Sequence, residues 1–340
     1  MTDRREQGQA SAGGRGVSAA ISGYLLVLVA ISVQQTWWPA SAGLPALGAV
    51  FAPYLFAPML LALPWAPRRR SVAFGLAAGL AVFLLRFPPH LPVARAAEGP
   101  AITALSWNVR LGGQWPAIRD VLATTPADIV ALVESDGAGL HGDPALMAHY
   151  PTAIVVPGEE AAEGLTLLSR YPLRDHGLLR QAPGLPARGV WAELDVGRDD
   201  PLLVAMVHPE APDSQVRTPS SPAWYNAGAR DATLAAIRAF LDPALRAGTP
   251  VLVLGDANLT EREPAYAAFS VGLTDAQRAV GLGPGLTWRP APLMGWDGAL
   301  LRLDYLFSNA ALTPQSVHVD CTPRGSDHCL VRAAFTRAAP

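Results

Sequence analysis

The stretch VLVLGDANLT, residues 251–260, passes from four aliphatic residues directly into Gly255, Asp256, Ala257 and Asn258. The aliphatic run predicts a buried β-strand, and Gly, Asp and Asn are typical of a turn that follows a strand. A second interpretation is that the strand end directs two oxygen ligands at one target, since side chains two apart on a strand share a face. The polar residues elsewhere in the chain bear on this choice.

Short apolar runs bounded by turn residues recur on both sides of this stretch. Their lengths and their β-branched and aliphatic content predict strands. The predicted strands cover residues 102–109, 128–135, 165–172, 190–196, 202–208, 251–258, 302–308, 316–320 and 329–335. Helical patterns lie between some of them, in WPAIRDVLATTPADI from Trp115 and in residues 223–247. Many strands with a few helices between them predict a mixed α/β sandwich.

Strand after strand in this prediction ends in an acidic, amide or imidazole side chain. These polar side chains are Asn108, Glu134, His208, Asp256, Asn258, Asp304, Asp327 and His328. Taken alone, an Asn can form a turn, a Glu can cap a helix and a His can lie on the surface. Because ligands collect at strand ends in open sheets, the recurrence of polar residues in the same kind of position favours one common site.

The residue types in this set favour metal-dependent chemistry on a phosphate. An ionised Asp, a neutral Asn and a Glu from another strand suit a hard cation such as Mg²⁺, which takes oxygen ligands. His208 and His328 can transfer protons or stabilise a phosphoryl oxyanion, and Asp304 can orient the ring of His328. Zinc is less expected, because the cysteines form no C-x-x-C pair and the histidines lack short ligand spacing.

The first part of the chain is much more apolar than the rest. Residues 17–87 contain only four charged residues, all arginines, although 16% of the whole chain is charged. Uncharged runs at 17–33, 44–65 and 71–85 predict about three transmembrane helices, since roughly 20 apolar residues in a helix cross a bilayer. The predicted organisation is a cytoplasmic N-terminal tail at 1–16, a membrane region at 17–87, a linker at 88–100 and one large domain at 101–340.

The arginine positions predict the orientation in the membrane. Arg4, Arg5 and Arg15 precede the first run and Arg68–Arg70 lie between the second and third runs, whereas residues 34–43 carry no charge. The positive-inside rule then places the N-terminus in the cytoplasm and the large domain outside it, in a multi-pass cell-membrane protein. An alternative makes residues 1–42 a cleaved signal peptide, and the large domain would again lie outside.

Two further features of the large domain concern its environment and its partners. Outside the cell, Cys321 and Cys329 could form a disulfide around Ser326-Asp327-His328. From residue 100 onward the chain has 18 Arg against 25 Asp plus Glu, which gives a net charge of −7 with neutral His. Such an acidic domain weighs against tight nucleic-acid binding, which normally uses a basic surface.

In order along the chain, these residues resemble the motifs of the endonuclease/exonuclease/phosphatase superfamily, the DNase I-like metal-dependent phosphoesterases. The matching motifs are SWNVR (106–110), VES (133–135), LLSRYPL (167–173), VHPE (207–210), GDANLT (255–260), Thr287-Trp288, RLDYLF (302–307) and GSDHCLV (325–331). Each motif is short, but the ordered set spans residues 102–336 and is specific. The chain departs from the family pattern at Val133, where Gln is frequent, and at Ala257, where a bulky aromatic residue is common.

The resemblance implies an α/β (α+β) four-layer sandwich, in which two mixed β-sheets pack face to face and are flanked by helices. It also implies a divalent cation, Mg²⁺ or Mn²⁺, as the cofactor. Glu134 would be the chief metal ligand, with Asn108 and Asp327 nearby.

The same resemblance implies roles for the other polar residues. Asp256 would activate or orient the attacking water, and Asn258 would position that water and the phosphate. His208 and His328 would contact the scissile phosphate, and Asp304 would orient His328.

A three-helix anchor followed by an outward-facing domain is similar to bacterial membrane phosphoesterases associated with teicoplanin-type glycopeptide resistance, thought to act on polyprenyl pyrophosphate. We therefore expect a membrane-anchored, Mg²⁺-dependent phosphoesterase that acts outside the cytoplasm on phosphate esters or pyrophosphates. Its expected partners are the lipid bilayer and a phosphate-containing, lipid-linked substrate. A membrane-tethered extracellular endonuclease or exonuclease is the alternative, and a non-enzymatic scaffold is disfavoured because every assignable catalytic position is filled.

Overall fold

The computed structural model of the chain describes residues 3–89, 92, 101–113, 115–158, 163–197, 200–213, 225–290 and 298–337. These residues fall into two compact units. The N-terminal unit comprises the chain up to Pro89 together with Asp213, residues 225–226 and residues 262–264. The other described residues form the second unit, which we call the sandwich unit.

The N-terminal unit is built from helices. These are α1 (Asp3–Trp37), α2 (Gly43–Val50), a 3₁₀ helix (Ala52–Arg68) and α3 (Arg70–Arg86). Ile21, Leu28, Met59 and Val72 are buried in one cluster, where α1, the 3₁₀ helix and α3 pack together. Gly79 of α3 allows this close approach, because a Cβ atom there would lie 2.4 Å from the Met59 side chain.

The structure corrects the expectation of about three transmembrane helices. Among the described residues, one helical segment, Gly16–Trp37, is long and apolar enough to cross a membrane, with 22 residues and a mean hydropathy of 2.1. The second predicted run is bent by 73° between α2 and the 3₁₀ helix, so it adds a span only if the bent pair counts as one. Helix α3 has 17 residues. At 1.5 Å per residue it is about 26 Å long, short of the roughly 30 Å bilayer core.

Proline accounts for the irregular second run. Pro58, Pro64 and Pro67 lie inside the 3₁₀ helix. In an α-helix each of them would remove a backbone donor and clash with the preceding turn. The uncharged run at 44–65 is long enough to cross a bilayer as an α-helix, but its prolines prevent a single α-helix from forming. Apolar composition alone therefore overstates the number of transmembrane spans.

The sandwich unit contains two mixed six-stranded β-sheets. The first sheet has the order β11-β12-β1-β2-β4-β3, with β1 (Ala101–Asn108), β2 (Ile129–Val133), β3 (Thr152–Val156), β4 (Leu165–Ser169), β11 (Leu312–Asp320) and β12 (Leu330–Arg337). The second sheet has the order β5-β6-β7-β8-β10-β9, with β5 (Leu173–Leu179), β6 (Gly189–Leu194), β7 (Leu202–Val207), β8 (Val251–Asp256), β9 (Thr274–Asp275) and β10 (Asp304–Ser308). The pairs β1–β2 and β7–β8 are parallel, and the other neighbouring strands are antiparallel.

Helices flank the two sheets. They are α4 (Trp115–Thr124), α5 (Pro144–His149), α6 (Gly228–Ala247), α7 (Pro264–Phe269) and α8 (Ala276–Val280), with a 3₁₀ turn at Leu140–Gly142. Apolar side chains of α4 are buried against β1 and β2, and those of α6 against β7 and β8. A further cluster contains side chains from both sheets and lies between them. The expected sandwich, two mixed sheets flanked by helices, is confirmed.

The strand predictions hold where a strand is buried and fail where it is not. Each predicted apolar run contains a strand or most of one. Three strands were missed, namely β3, β5 and β9. Most residues of β5 are exposed or half-buried, so this edge strand lacks the apolar pattern on which the prediction depends.

The topology brings the polar strand ends to a common edge of the sandwich. Asn108 is the last residue of β1, and Glu134 follows β2, the parallel neighbour of β1. His208 and Asp256 stand in the same relation at the ends of β7 and β8. Strand β10 runs antiparallel to β8, so its first residue, Asp304, pairs with Asp256.

Gly255 is required where β8 approaches β7 at this edge. Its φ of 143° is one that other residues rarely adopt, and a Cβ atom would lie 2.1 Å from the carbonyl oxygen of Val207. We predict that Gly255→Ala lowers the free energy of unfolding by about 2 to 4 kcal/mol, the sum expected for backbone strain and overpacking. Thermal or denaturant unfolding of the purified full-length protein in detergent measures this change.

Gly142→Ala is the matched control, because a methyl group there meets nothing within 4 Å. We expect it to change the free energy of unfolding by no more than about 0.5 kcal/mol. Equal stability of the two variants would contradict the close approach at Gly255.

Candidate active site

A cavity of about 470 Å³ opens at the edge where the polar strand ends meet. Six of the eight predicted site residues line it, namely Glu134, His208, Asp256, Asn258, Asp327 and His328. The other two, Asn108 and Asp304, are buried and contact these lining residues through hydrogen bonds. The structure thus brings all eight residues together.

His328, Asp304 and Asp256 form a buried charged group. His328 Nδ1 donates a hydrogen bond to Asp304 Oδ2 at 2.8 Å, and His328 Nε2 lies 3.7 Å from Asp256 Oδ2. Burial lowers the pKa of His328, but the carboxylates of Asp304 and Asp256 outweigh it and raise the pKa to about 10. Burial raises the pKa of Asp256, an effect that the positive charge of His328 opposes. His328 is therefore a cation at neutral pH, suited to stabilising negative charge on a phosphoryl oxygen.

His208 has the opposite electrostatic character. Burial lowers the pKa of His208 below its usual value, and the charges of His328 and Arg188 act in the same direction against the attraction of Asp256. Its Nε2 lies 3.9 Å from Glu134 Oε1. His208 is accordingly a neutral imidazole that can donate one hydrogen bond and accept another.

The chemistry of the predicted metal ligands fits a divalent cation. Asn108 Nδ2 donates to Glu134 Oε1 at 2.9 Å, and Asp327 Oδ1 lies 3.8 Å from Arg110 Nε at the cavity wall. The carboxylates of Glu134 and Asp327 lie beside open space, which Mg²⁺ or Mn²⁺ requires because these cations keep several water ligands. Asn108 is buried, and its Oδ1 accepts a hydrogen bond from the Arg110 amide at 2.9 Å. Ligand atoms of Asp256, Asp304 and His328 also lie within 4.8 Å of one another, and Asp304 and His328 are hydrogen-bonded to each other.

Backbone strain is concentrated at the cavity. Among the described residues, the non-glycine residues with positive φ are Arg110 (63°), Leu111 (50°), Glu134 (58°) and Asn258 (50°), and all four line the cavity. Glu134 Oε2 accepts a hydrogen bond from the Leu111 amide at 2.8 Å, and Asp256 Oδ1 accepts one from the Asn258 amide at 2.8 Å. Left-handed backbone at such residues costs about 1 to 3 kcal/mol each and recurs at functional sites.

The sequence prediction missed two arginines at the cavity, Arg110 and Arg188. Arg188 Nε donates to Glu210 at 3.0 Å, and its Nη2 lies 3.2 Å from Glu163. Arg188 immediately precedes β6, so the strand-end rule that selected the other residues could have selected it as well. A strand-end rule restricted to acidic, amide and imidazole side chains excludes an arginine.

Ser326 is a further residue that the prediction did not single out. Its hydroxyl donates to the carbonyl oxygen of Asn108 at 2.6 Å and accepts from the amide of His328 at 2.9 Å. The same loop is closed by a disulfide between Cys321 and Cys329, which the sequence had left open.

A sequence model of the Endonuclease/Exonuclease/phosphatase family matches residues 105–328, about two thirds of the chain. The chain belongs to this family, and the resemblance drawn from its motifs is confirmed. Members of the family are metal-dependent phosphoesterases and nucleases, and the chain is accordingly a phosphoric ester hydrolase. No curated protein is significantly similar to the chain in sequence.

Solved structures share the fold of the sandwich unit. A functionally unknown conserved protein from Enterococcus faecalis V583 is 19% identical, with a TM-score of 0.55 over 70% of this chain and all of its own. The 3′ phosphatase NExo from Neisseria, bound to a product DNA hairpin, is 21% identical, with a TM-score of 0.55 over 69% of this chain and 99% of its own. Humanized D. rerio TDP2 is 18% identical, with the same TM-score and the same shares. At these identities the likeness concerns the fold alone.

Asp304 should be essential because it holds His328. We predict that Asp304→Asn lowers kcat for a phosphodiester such as bis(p-nitrophenyl) phosphate by about a hundredfold or more, since loss of a carboxylate that orients a catalytic histidine is costly. Circular dichroism and thermal unfolding establish that the variant is folded at the assay temperature.

Asp242→Asn is the control, because Asp242 pairs with Arg238 on α6, outside the cavity. It should retain the parent kcat. A folded Asp304→Asn protein with nearly the parent kcat would show that the hydrogen bond to His328 is not needed.

Proposed function

We propose that the protein is a membrane-anchored, divalent-metal-dependent phosphoesterase that hydrolyses a lipid-linked pyrophosphate, such as polyprenyl pyrophosphate, outside the cytoplasm. The observation that carries this proposal is the convergence on one cavity of a cationic His328, a neutral His208, acidic oxygen donors and two arginines. Such a cavity suits a substrate that carries more than one phosphate.

Glu134, Asn108 and Asp327 would hold the cation in this proposal. The role fits Glu134 because its carboxylate lies at the cavity with its backbone held in a left-handed conformation. Mg²⁺ and Mn²⁺ both take such oxygen donors. Lewis-acid stabilisation of charge on the phosphoryl oxygens is the chemistry that such a cation supplies when bound.

The remaining side chains would handle the water and the phosphate. Asp256, whose pKa is raised by burial, would accept a proton from the attacking water, and Asn258 would position that water. The imidazolium of His328, fixed by Asp304, would donate a hydrogen bond to a phosphoryl oxygen as negative charge develops there. His208, which follows β7 in the other sheet, would donate a hydrogen bond to the same phosphoryl group.

Two features support a location outside the cytoplasm. The Cys321–Cys329 disulfide suits an oxidising compartment, since cytosolic thiols are kept reduced. The segment Gly16–Trp37 can serve as an anchor or as a signal sequence, and arginines precede it on its N-terminal side. With the N-terminus in the cytoplasm and α1 as the span, the chain after α1 would be exported.

Arg188 supports pyrophosphate as the substrate class. Two carboxylates, Glu163 and Glu210, hold its guanidinium at the cavity wall, which leaves other N–H groups for an anion. A phosphate beyond the scissile one is the anion that a pyrophosphate would place near such a group. The alternative, an extracellular nuclease, has the same catalytic set, but the acidic net charge of −7 from residue 100 onward opposes binding of a polyanion.

The direct test gives the purified full-length protein polyprenyl pyrophosphate in detergent micelles and, separately, plasmid DNA. We expect release of inorganic phosphate from the lipid and no nicking of the plasmid. EDTA should abolish the release, and added Mg²⁺ or Mn²⁺ should restore it, because the site is built from oxygen donors for such a cation. Nicking of DNA without release of phosphate would instead establish the nuclease alternative.

Replacing Arg188 tests whether the cavity binds a second phosphate in addition to the scissile one. We predict that Arg188→Gln raises KM for polyprenyl pyrophosphate by about tenfold or more, the loss of one charge-assisted hydrogen bond, and leaves KM for a simple phosphate ester much less changed. Steady-state kinetics on the two substrates measure the difference.

Arg246→Gln is the control, because Arg246 is an exposed residue at the end of α6. It should leave both KM values at the parent level. An equal rise in KM for both substrates with Arg188→Gln would mean that Arg188 does not recognise a second phosphate.

A further inference from the structure

The loop that carries Asp327 and His328 is a short hairpin connection, residues 321–329, between β11 and β12. Asp320 and Leu330 form the last paired positions of the two strands. The disulfide between Cys321 and Cys329 lies one position further, at the base of this loop. One of the bonded cysteines is therefore the immediate neighbour of His328 in the chain.

Non-covalent contacts hold the same loop from outside. The buried Arg289 donates from its backbone amide to the carbonyl oxygen of Asp327 at 2.7 Å, and from its guanidinium to the carbonyl oxygens of Cys321 and Ser326. The amide of Cys329 donates to the carbonyl oxygen of Thr287 at 2.8 Å. These contacts would persist if the sulfur–sulfur bond were opened, although each would act on a loop with one fewer restraint.

Strand pairing supports the hairpin independently of the disulfide. Strands β11 and β12 pair antiparallel from Leu312–Arg337 to Asp320–Leu330, with an irregularity between Pro314 and Ser316 at the end far from the loop, and β12 also pairs with β1. Opening the disulfide would therefore remove one restraint from the end of the hairpin, where Asp327 and His328 lie, without removing the sheet that supports it.

We propose that the Cys321–Cys329 disulfide is a positioning element for Asp327 and His328, and that its reduction lowers the activity of a protein that stays folded. The proposal rests on the catalytic function proposed above for His328. Cys321 is half-buried, whereas Cys329 is buried. A dithiol supplies two electrons and two protons: the sulfur–sulfur bond breaks, Cys321 and Cys329 become thiols, and the dithiol is oxidised to its cyclic disulfide.

The kinetic constants of the folded, reduced protein show whether the disulfide positions Asp327 and His328 or only stabilises the fold. Reduction should lower kcat by about tenfold, less than the hundredfold that an ångström of misplacement can cause, because Arg289 and Ser326 still hold the loop. The Mg²⁺ concentration for half-maximal activity should rise, since Asp327 moves with His328. KM for substrate should change little, because Arg188 and Arg110 belong to other segments.

The experiment compares the oxidised full-length protein with protein reduced by dithiothreitol, with free thiols counted by Ellman's reagent. Both forms are assayed for kcat, KM and Mg²⁺ dependence below the melting temperature of the reduced form. Cys321→Ala/Cys329→Ala should match the reduced protein and be insensitive to dithiothreitol. His328→Ala is assayed alongside as the test of the site itself.

Ser326→Ala provides a coupling test, because the Ser326 hydroxyl joins this loop to β1 through Asn108. Restraints on one loop are not additive, so the loss of kcat on Ser326→Ala should be several times larger in the reduced protein than in the oxidised one. Equal losses in the two forms would mean that the disulfide and Ser326 restrain different parts.

Full kcat and unchanged Mg²⁺ dependence in protein whose thiols are free would overturn the proposal. A loss of activity in proportion to the fraction of unfolded protein would overturn it too, because the disulfide would then only stabilise the fold. If His328→Ala also keeps full activity, the catalytic assignment fails as well. If His328→Ala is inactive and the reduced protein is not, only the positioning function of the disulfide fails.

Discussion

The hydrogen bond between His328 Nδ1 and Asp304 Oδ2, 2.8 Å long, joins the two sheets at the edge where the cavity opens. Asp304 is the first residue of β10 in one sheet, and His328 lies just before β12 in the other. A second link of this kind runs from Asn108 at the end of β1 to Asp256 at the end of β8, at 3.1 Å. Both links are buried, and buried charge is tolerated only when it is paired. The site therefore exists only while the sheets are packed, and its polar groups in turn fix how the sheet edges meet.

A buried arginine, Arg302, stabilises the start of β10, where Asp304 lies. Arg302, in the segment that leads into β10, forms ion pairs with Asp275 and Glu261, and its guanidinium lies 4.5 Å from the centroid of the Tyr305 ring. The Thr287 hydroxyl accepts hydrogen bonds from the amides of Leu303 and Asp304. The motifs RLDYLF and Thr287-Trp288 thus serve largely to place Asp304, because most of their side chains lie away from the cavity.

The sequence predicts those parts of the molecule that depend on local pattern. Buried aliphatic runs such as 251–254 predict the central strands, and polar residues at the ends of those runs predict the site, because both signals lie within a few residues. Arg188 also lies next to a strand, but the prediction considers only acidic, amide and imidazole side chains, so its residue type and not its position excludes it. The left-handed backbone of Glu134 was missed because a glutamate gives no turn signal, and its conformation is held by contacts with residues 111–112. Long-range constraints of this kind leave no trace in local pattern.

The two histidines that line the cavity show that neighbouring charges, more than residue type, determine the protonation state of a side chain. Both are buried, and burial lowers the pKa of each. Only His328 has a carboxylate in direct contact, Asp304, and this contact keeps it cationic, whereas Glu134 lies 3.9 Å from His208 and does not. Titratable groups whose environments push their pKa values apart usually take different roles in catalysis. Under the proposed mechanism, His328 supplies fixed positive charge and His208 supplies a hydrogen bond, so exchanging their partners would remove both functions even though each imidazole remained.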